Sequence, residues 1–277
     1  MDDTGIGVVL LGYGAIGQAV HRMLAPVADS VRVLGALDRA ALEGTAGQVR
    51  MAGPAGQEVP VLELGAAIEL ADVILECASP AAVRAYGPGI IGAGTDLLVA
   101  SLGALVDGRL RETLLERGPG RCHLSTGAIG GLDLIRASAG TIESIELSTR
   151  KPPAALLHPG LPTALRASIA RAETTGSSRH VFGGSVADAV RLFPSNINVA
   201  AALGLAAGDM DLVRVDIVAD PSATLTGHAI EVHGSGGHYR FGIENFPDPD
   251  NPATSALTAR STVSGLLRLA GHGPHFI

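Results

Sequence analysis

The chain contains few of the residues on which several classes of protein depend. Tryptophan is absent, and only three tyrosines and five phenylalanines occur among 277 residues. Proteins that bind single-stranded nucleic acid use aromatic side chains on which bases stack, and they present a basic surface to the phosphates. Because the formal net charge is −7 as well, the composition argues against a nucleic acid as the main partner.

Cysteine and long apolar runs are scarce too. The two cysteines cannot form a structural zinc site alone, and Cys77, in the apolar run "DVILECAS", is predicted to be a buried thiol. We predict no metal site. No run of roughly 18 apolar residues indicates a membrane span, and the N-terminal segment lacks a signal pattern, so we predict a cytoplasmic protein without a membrane partner.

The residues that are abundant indicate a folded α/β protein. Hydrophobic residues make up 47% of the chain and charged residues 17%, with 37 glycines. In the first hundred residues, apolar runs alternate with helical patterns, which predicts parallel strands joined by crossover helices. Ser79 and Pro80 are a typical N-cap and first-turn pair for one helix. The strands are predicted over 6–12, 30–38, 71–79 and 95–101.

Beyond about residue 125 the pattern changes to an alternation of apolar and polar residues. Such strands suit a sheet with one covered face. Two helices are predicted around "VADAVRLF" and "INVAAALGLAA", and a loop with one possible short helix over 152–179. The apolar stripe of Val263, Leu266, Leu267 and Ala270 predicts a final helix. The alternating strands are predicted over 144–151, 212–220, 226–234 and 238–245.

The string "GYGAIG" follows the first strand directly and opens the first helix. Gly12 allows a tight turn, Gly14 allows close approach of a pyrophosphate, and Gly17 allows the helix to pack on the strand. The amides of Ala15 and Ile16 begin the helix, whose N-terminus attracts phosphate. This context predicts a dinucleotide site, with a βα turn that binds no ligand as the alternative.

Three further features are predicted to complete the cofactor site. Asp38 ends the second strand, where a carboxylate can accept a hydrogen bond from the ribose 2′-hydroxyl of NAD. Arg39 follows it, so NADP stays possible beside NAD. Ala78, Ser79 and Pro80 follow the third strand and are expected near the cofactor. A solvated turn residue is the alternative role for Asp38.

The second half contains three candidate site segments. The small residues of "STGAIGGLDLIRA" (125–137) can present backbone N–H groups to a carboxylate, or form an ordinary interdomain turn. In "FPSNINV", Asn196 is a candidate N-cap, which would place Asn198 in the first turn facing a ligand. Taken alone, His228 in "GHAIEV" is most simply a hydrogen-bonded strand histidine.

Over nearly its whole length the chain resembles the L-aspartate dehydrogenase family. The matching strings, in order, are "GYGAIG", "ECASPAAV", "STGAIGGLDLI", "TRKPP", "FGGSVADAVRLFPSNINVAAAL", "DP" at 220–221, "GHAIEV", "IENFPDPDNPATS" and the final helix. The resemblance implies a Rossmann dinucleotide-binding domain over 1–124 and 252–277, to which the C-terminal helix returns. A second α/β domain with an α+β sheet, over 125–251, would serve catalysis and oligomerisation.

The resemblance also implies an activity. Members oxidise L-aspartate with NAD or NADP to iminoaspartate, which hydrolyses to oxaloacetate and ammonia or feeds NAD biosynthesis, and they are homodimers. By position, His228 would be the active-site histidine, and Ala128 and Asn198 would contact the nicotinamide end of the cofactor. Histidine suits this chemistry because its pKa lies near neutrality.

The substrate carboxylates need cations and backbone N–H groups to orient them. We expect Lys151 of "TRKPP", together with Thr126 and Gly127, to bind them, with a solvated strand-end lysine as the alternative. The chain departs from the family where Asn is usual two residues before the histidine, since Thr226 stands there, and where Ala253 replaces a Lys. These departures leave open a related dehydrogenase for another small amino or dicarboxylic acid, and a non-catalytic nucleotide-binding sensor.

Overall fold

The chain folds into two compact units in the computed structural model, which describes residues 5–38, 50–54, 58–194, 197–248 and 254–273. The first unit combines Met1–Ser125 with Thr258–Ile277, and the second is Thr126–Leu257. Among the helices of the described residues, none is long and apolar enough to cross a membrane.

The first unit is built on a five-stranded sheet in which every neighbouring pair is parallel. Its central strands are buried on both faces, as Val8, Val9 and Leu10 of β1 show with no exposed surface, which is usual for a parallel sheet covered by helices. In the order β2-β1-β5-β6-β7 the strands are Val31–Leu37, Ile6–Leu11, Val73–Glu76, Asp96–Val99 and Cys122–Leu124. A separate hairpin consists of β3 (Arg50–Ala52) and β4 (Glu58–Pro60).

The helices of this unit lie where parallel pairing requires crossovers. They are α1 (Ala15–Leu24), α2 (Leu64–Leu70), α3 (Pro80–Ala93) and α4 (Gly108–Glu116). The chain's last helix, α10 (Ala256–Leu269), adds Ala259 and Leu266 to the same hydrophobic core as Val20 and Leu98, and the rest of its predicted stripe packs against that core. The predicted return of the final helix to the dinucleotide-binding fold is therefore confirmed.

The second unit is built on a mixed five-stranded sheet. Strand β8 pairs in parallel with β10, and the other neighbours pair antiparallel. Along β8 buried and exposed residues alternate, so one face carries the core and the other lies open. In the order β12-β11-β8-β10-β9 the strands are Gly237–Asn245, Thr226–Gly234, Ile142–Lys151, Val213–Ala219 and Arg179–Ser185.

Among the described residues, five helices belong to the second unit, and α9 packs against α5, β8 and β10 on the covered side of the sheet. The five are α5 (Leu132–Ala137), α6 (Pro153–Leu156), α7 (Thr163–Thr175), α8 (Val186–Leu192) and α9 (Asn198–Ala207). The predicted helices near "VADAVRLF" and "INVAAALGLAA" are confirmed as α8 and α9.

Within the predicted loop over 152–179, the possible short helix is confirmed as α7, and the loop prediction is wrong at α6, a second helix that was not predicted. Helix α7 has thirteen residues and ends at Gly176, which is left-handed with φ +62°. It buries only Ile169 and Ala172, so its apolar periodicity in the sequence is weak. Strand β9, which follows, was not predicted, because it is an edge strand with Gly183 and Gly184 in place of an apolar run.

Candidate functional site

The glycine-rich turn of the first unit has the geometry that its sequence predicts. Gly12 has φ +100°, and a Cβ there would lie 2.7 Å from the Ala78 Cβ. A Cβ on Gly17 would lie 2.5 Å from the Gly12 carbonyl oxygen, so both positions require glycine. A Cβ on Gly14, in contrast, would meet no heavy atom within 4 Å. The turn is therefore tight against the protein at Gly12 and Gly17 and open at Gly14.

Helix α1 presents its N-terminus at this opening. Gly14 is the N-cap, and the first turn of the helix, from Ala15 and Ile16 onward, contains no acidic residue. The first amides of a helix have no partner within it and form the positive end of the helix dipole. An open space bordered by such amides fits the pyrophosphate of a dinucleotide.

The carboxylate of Asp38 lies beside the same turn. It accepts a hydrogen bond of 2.8 Å from the Tyr13 backbone N–H, which ties the end of β2 to the turn. This is the position from which a carboxylate binds a ribose hydroxyl in dinucleotide-binding folds. Arg39, which kept NADP open, lies outside the described residues.

The turn after β5 is organised by a buried carboxylate that the sequence analysis did not single out. Glu76 is fully buried, and it accepts hydrogen bonds from the backbone N–H groups of Ala78, Ser79 and Ser101 and from the Ser101 hydroxyl. Burial raises the pKa of Glu76, and the four donors oppose that rise. The signal that could have revealed it is a lone acidic residue at the end of the apolar run "DVILE".

The predicted cap of the next helix is confirmed. The Ser79 hydroxyl accepts from the Ala82 backbone N–H at 3.2 Å, and Pro80 begins α3. Ala78 lies against Gly12 and so borders the glycine-rich turn directly. Contacts of these three residues with a cofactor stay a prediction.

In the second unit, His228 lies on the covered face of the sheet. It is 4% exposed and stands directly opposite Thr149 in the antiparallel pairing of β11 with β8. Its Nδ1 shares a hydrogen bond of 3.0 Å with the Thr149 Oγ1, which fixes the orientation of the ring. Thr149 has no exposed surface and was missed in the sequence, because only the strand register brings it to His228.

Lys151 follows Thr149 by two residues and therefore lies on the same face of the sheet. It is 4% exposed, and burial lowers its pKa from 10.5 to about 8. Burial, with the nearby Lys151 charge, lowers the pKa of His228 to about 3. At neutral pH the pair therefore consists mostly of a charged ammonium and an uncharged imidazole, held side by side in a buried environment.

Two more polar residues extend this group by one row of the sheet. Thr226 and Asn245 are directly opposite each other in the pairing of β11 with β12, and both are at least nine-tenths buried. The Asn245 Nδ2 donates a hydrogen bond of 2.9 Å to the carbonyl oxygen of Ala128. We call Thr149, Lys151, Thr226, His228 and Asn245 the polar rows.

The hydrogen bond from Asn245 places the predicted turn of "STGAIGG" next to the polar rows. Ala128 is buried, Thr126 is exposed, and Gly127 has φ +61° with no atom within 4 Å of an added Cβ. Asn198 is the first residue of α9, as expected, but Ile197 is its N-cap, so the helix begins one residue later than an Asn196 cap implies. Asn196 and Ala253 lie outside the described residues.

These features define a class of protein. A parallel sheet with a glycine-rich βα turn is typical of dinucleotide-binding units, and the second unit adds a buried cation and an imidazole. Residues 12–119 match the family model described as homoserine dehydrogenase, NAD binding domain, and residues 133–269 match the model described as aspartate dehydrogenase, C-terminal. The protein is an oxidoreductase of this fold with an NAD- or NADP-binding unit.

Individual relatives identify the family. The chain is 44% identical over 207 residues to an L-aspartate dehydrogenase of Methanopyrus kandleri, covering 72% of this chain and 71% of the relative. It is 41% identical over 202 residues to one of Methanosarcina acetivorans, covering 72% and 73%. The chain therefore belongs to the aspartate dehydrogenase family.

Solved structures agree with this assignment. The crystal structure of aspartate dehydrogenase from Thermotoga maritima matches with a TM-score of 0.71 at 28% identity, over 98% of this chain and 99% of that chain. A scyllo-inositol dehydrogenase from Lactobacillus casei, solved with NAD(H) and scyllo-inositol, matches with a TM-score of 0.52 at 12% identity, over 97% and 88%. At that identity the second likeness shows the fold alone.

Proposed function

We propose that this protein is an NAD(P)-dependent L-aspartate dehydrogenase. The observation that carries the proposal is that Lys151 and His228 lie on one buried face of the second unit, in a chain of the aspartate dehydrogenase family. A cation suits a dicarboxylic acid, and an uncharged imidazole suits the activation of water.

The reaction oxidises the C–N bond of the amino acid. Bound NAD or NADP, in its oxidised form, supplies the acceptor for the hydride that leaves Cα. Loss of the hydride from the neutral amine gives iminoaspartate, and addition of water followed by C–N cleavage gives oxaloacetate and ammonia. The reduced cofactor and a proton complete the balance. Iminoaspartate released before hydrolysis would feed NAD biosynthesis, as we predict from the family resemblance.

In this proposal Lys151 binds a substrate carboxylate through its buried ammonium group, and Thr126 and Gly127 contribute polar groups of their turn. His228 takes a proton from the attacking water, while Thr149 holds the ring. The imidazole is uncharged before substrate binds, since its pKa is about 3, and the negative charge of a bound dicarboxylate raises that pKa toward a value suited to a base.

The first unit would hold the cofactor. Its pyrophosphate would lie over the opening at Gly14, and Asp38 would accept from the adenosine ribose. We propose the remaining cofactor contacts as the sequence predicts them, and their members are Gly12, Ala15, Ile16, Gly17, Ala78, Ser79, Pro80, Ala128 and Asn198.

A second candidate is a related dehydrogenase for another small amino or dicarboxylic acid. The observation that favours it is Thr226, a buried hydroxyl on the polar rows where an amide is usual in the family. A shorter side chain there changes the space and the hydrogen bonds offered to a substrate.

A panel of L-amino acids tested with NAD and with NADP separates these possibilities. The proposal predicts the highest kcat/KM with L-aspartate, measured as formation of reduced cofactor. A higher kcat/KM with another amino acid would favour the second candidate. Tight cofactor binding without turnover of any amino acid would point to a nucleotide-binding sensor.

We propose a homodimer formed through the open face of the second sheet. One row across all five strands carries small or short side chains, which leave the face flat, and its members are Gly183, Asp216, Ser148, Ala229 and Gly242. The next row carries charges of both signs, including Glu231 and Arg240, which suits a self-complementary contact.

Light scattering after gel filtration tests the dimer. Wild-type protein is expected at twice the chain mass, and Ala229→Arg, which places a long charge in the flat row, at the chain mass. Glu116→Arg, on an exposed part of α4, is the matched control and is expected to stay dimeric. A wild-type monomer would contradict the proposal.

We also propose a cytoplasmic location. Both cysteines are free thiols, Cys77 buried and Cys122 half-buried, which is typical of a reducing compartment. Fractionation of the native host with an antibody against this chain would test the location.

A further inference from the structure

The amide of Asn245 has a fixed orientation. A carbonyl oxygen can only accept, so the contact of 2.9 Å with the Ala128 oxygen must come from the amide nitrogen. The Asn245 Oδ1 therefore points away from Ala128. Because Asn245 is 9% exposed and ends β12 opposite Thr226, this oxygen is held at the end of the polar rows.

The Asn245 Oδ1 accepts no hydrogen bond from any residue that the structure describes. Within the same part of the chain, no side-chain nitrogen or oxygen that is sealed from solvent lacks a partner. The oxygen is therefore reached by solvent although its residue is nine-tenths buried. The Thr226 Oγ1 and the His228 Nε2 also form no hydrogen bond with a described residue, and by the same reasoning solvent reaches them. Three polar atoms of one buried face are therefore in contact with solvent.

These atoms differ in what they can bind. An amide oxygen only accepts, a hydroxyl donates and accepts, and the nearby Lys151 ammonium only donates. The carboxylates of a dicarboxylic amino acid need donors, which Lys151 and Thr226 provide. The α-amino group is the part of such a substrate that needs an acceptor. The unprotonated His228 Nε2 also accepts, but the proposed function assigns it to the attacking water, so among the polar rows the Asn245 Oδ1 is the acceptor left for the amine.

We infer that Asn245 is a substrate-binding residue whose Oδ1 accepts a hydrogen bond from the α-amino group, with its orientation fixed by the carbonyl of Ala128. This inference rests on the proposed function and names the group that selects amino acids over their deamino analogues. Its acceptor binds the amine before hydride loss and the N–H of the imine afterwards.

Reductive amination provides the sharpest test, because ammonia and oxaloacetate are then varied separately. Asn245→Ala removes both the acceptor and the tether to Ala128, whereas Asn245→Asp removes the tether and keeps an oxygen acceptor. We expect the KM for ammonia to rise at least about tenfold in Asn245→Ala, the loss of one buried hydrogen bond to a polar group. In Asn245→Asp we expect it to stay within about threefold of the wild-type value.

Both variants lose the tether, so the comparison of their ammonia KM values isolates the acceptor. The melting temperature is expected to fall in both, and further in Asn245→Asp, whose carboxylate is buried facing the Ala128 carbonyl oxygen. An unchanged ammonia KM in Asn245→Ala would overturn the inference. An equal rise in both variants would also overturn it, because Asn245 would then act only through Ala128.

Binding measured without turnover separates this inference from the proposed function. With reduced cofactor present, wild-type protein is expected to bind L-aspartate at least about tenfold more tightly than succinate, and Asn245→Ala is expected to lose that preference. A wild-type protein with this preference but no oxidation of L-aspartate would refute the proposed function and leave the amine contact standing. A wild-type protein without the preference would refute the contact.

Discussion

The two units form their candidate sites from different parts of the polypeptide. In the first unit the site consists mainly of backbone: a glycine turn, the amides that begin α1, and turns held by the Glu76 and Asp38 carboxylates. In the second unit the site consists of side chains, contributed by β8, β11 and β12 to one buried face. The first arrangement suits a cofactor shared by many enzymes, and the second suits the recognition of one substrate.

This difference has an electrostatic side. The first unit offers uncharged backbone N–H groups to an anion. Such groups can bind an anion although the unit contributes no buried positive charge. The second unit keeps an ammonium beside an imidazole, and burial lowers the pKa of both groups. Substitutions should therefore affect cofactor affinity in the first unit and chemistry or substrate affinity in the second.

The largest effect is expected for His228→Ala. Loss of a general base lowers rates by roughly 10²–10⁴ fold, so kcat should fall by that factor while the Kd for the cofactor stays within about twofold. Stopped-flow oxidation of L-aspartate and fluorescence titration with reduced cofactor measure the two quantities. A variant that retains wild-type kcat would remove His228 from the chemistry.

The next effect concerns the opening of the glycine turn. Gly14→Ala should leave the melting temperature nearly unchanged, since its Cβ meets no protein atom within 4 Å, but raise the cofactor Kd at least about tenfold by occupying the space for the pyrophosphate. Gly92→Ala in α3, also free of neighbours, is the control, and its cofactor Kd should not change. Equal Kd values for Gly14→Ala and wild type would place the phosphates elsewhere.

A smaller effect is expected from the titration of Lys151. The Ki of succinate should be constant below pH 8. Above pH 8 it should rise by up to about tenfold per pH unit, because the ammonium loses its proton and binds the inhibitor less tightly. Lys151→Met should bind succinate weakly at every pH, with no inflection near pH 8. An inflection that persists in this variant would assign the titration to another group.

The same pKa shift affects stability. Because the folded protein holds the Lys151 proton less tightly than the unfolded chain, the contribution of Lys151 to stability is lost as the pH falls from 10.5 to about 8. The free energy of unfolding of wild type relative to Lys151→Met should therefore rise between pH 8 and pH 10.5. Denaturant titrations at several pH values measure it.

The smallest effect is expected for Ser79→Ala. The hydroxyl caps α3, so its loss should cost about 1 kcal/mol of stability, measured by chemical denaturation. Because the first unit is proposed to bind the cofactor mainly through backbone groups, the cofactor Kd should stay within about threefold. A much larger rise in Kd would show that the Ser79 hydroxyl contacts the cofactor, and would weaken the contrast between the units.

The candidate site of the first unit was easier to predict from the sequence than that of the second unit. The glycine turn is contiguous, and each of its glycines has a separate physical reason, so both its place and its geometry could be predicted. Four of the five parallel strands could be predicted as well, because their apolar runs are continuous, whereas β7 was missed because it is three residues long and only half-buried. Glu76 could not, since its partners include Ser101, twenty-five positions away along the chain.

The polar rows were harder to predict for a geometric reason. Alternation along a strand shows which residues share a face, but it leaves open which residue of the next strand stands opposite. His228 and Lys151 were named from motifs, whereas Thr149 and Asn245 became visible only through the register of β8 and β12 with β11. Strand β9 was missed, and helix α7 was predicted only as a possible short helix, because both bury few apolar side chains.

The most direct test of the central claim follows the hydrogen on Cα. L-Aspartate that carries deuterium at Cα is incubated with the enzyme and with NAD or NADP, and the reduced cofactor is examined by mass spectrometry. The account predicts reduced cofactor that contains one deuterium per turnover, with oxaloacetate and ammonia formed in equal amounts. Formation of oxaloacetate without labelled cofactor, or no reaction of L-aspartate with either cofactor, would contradict it.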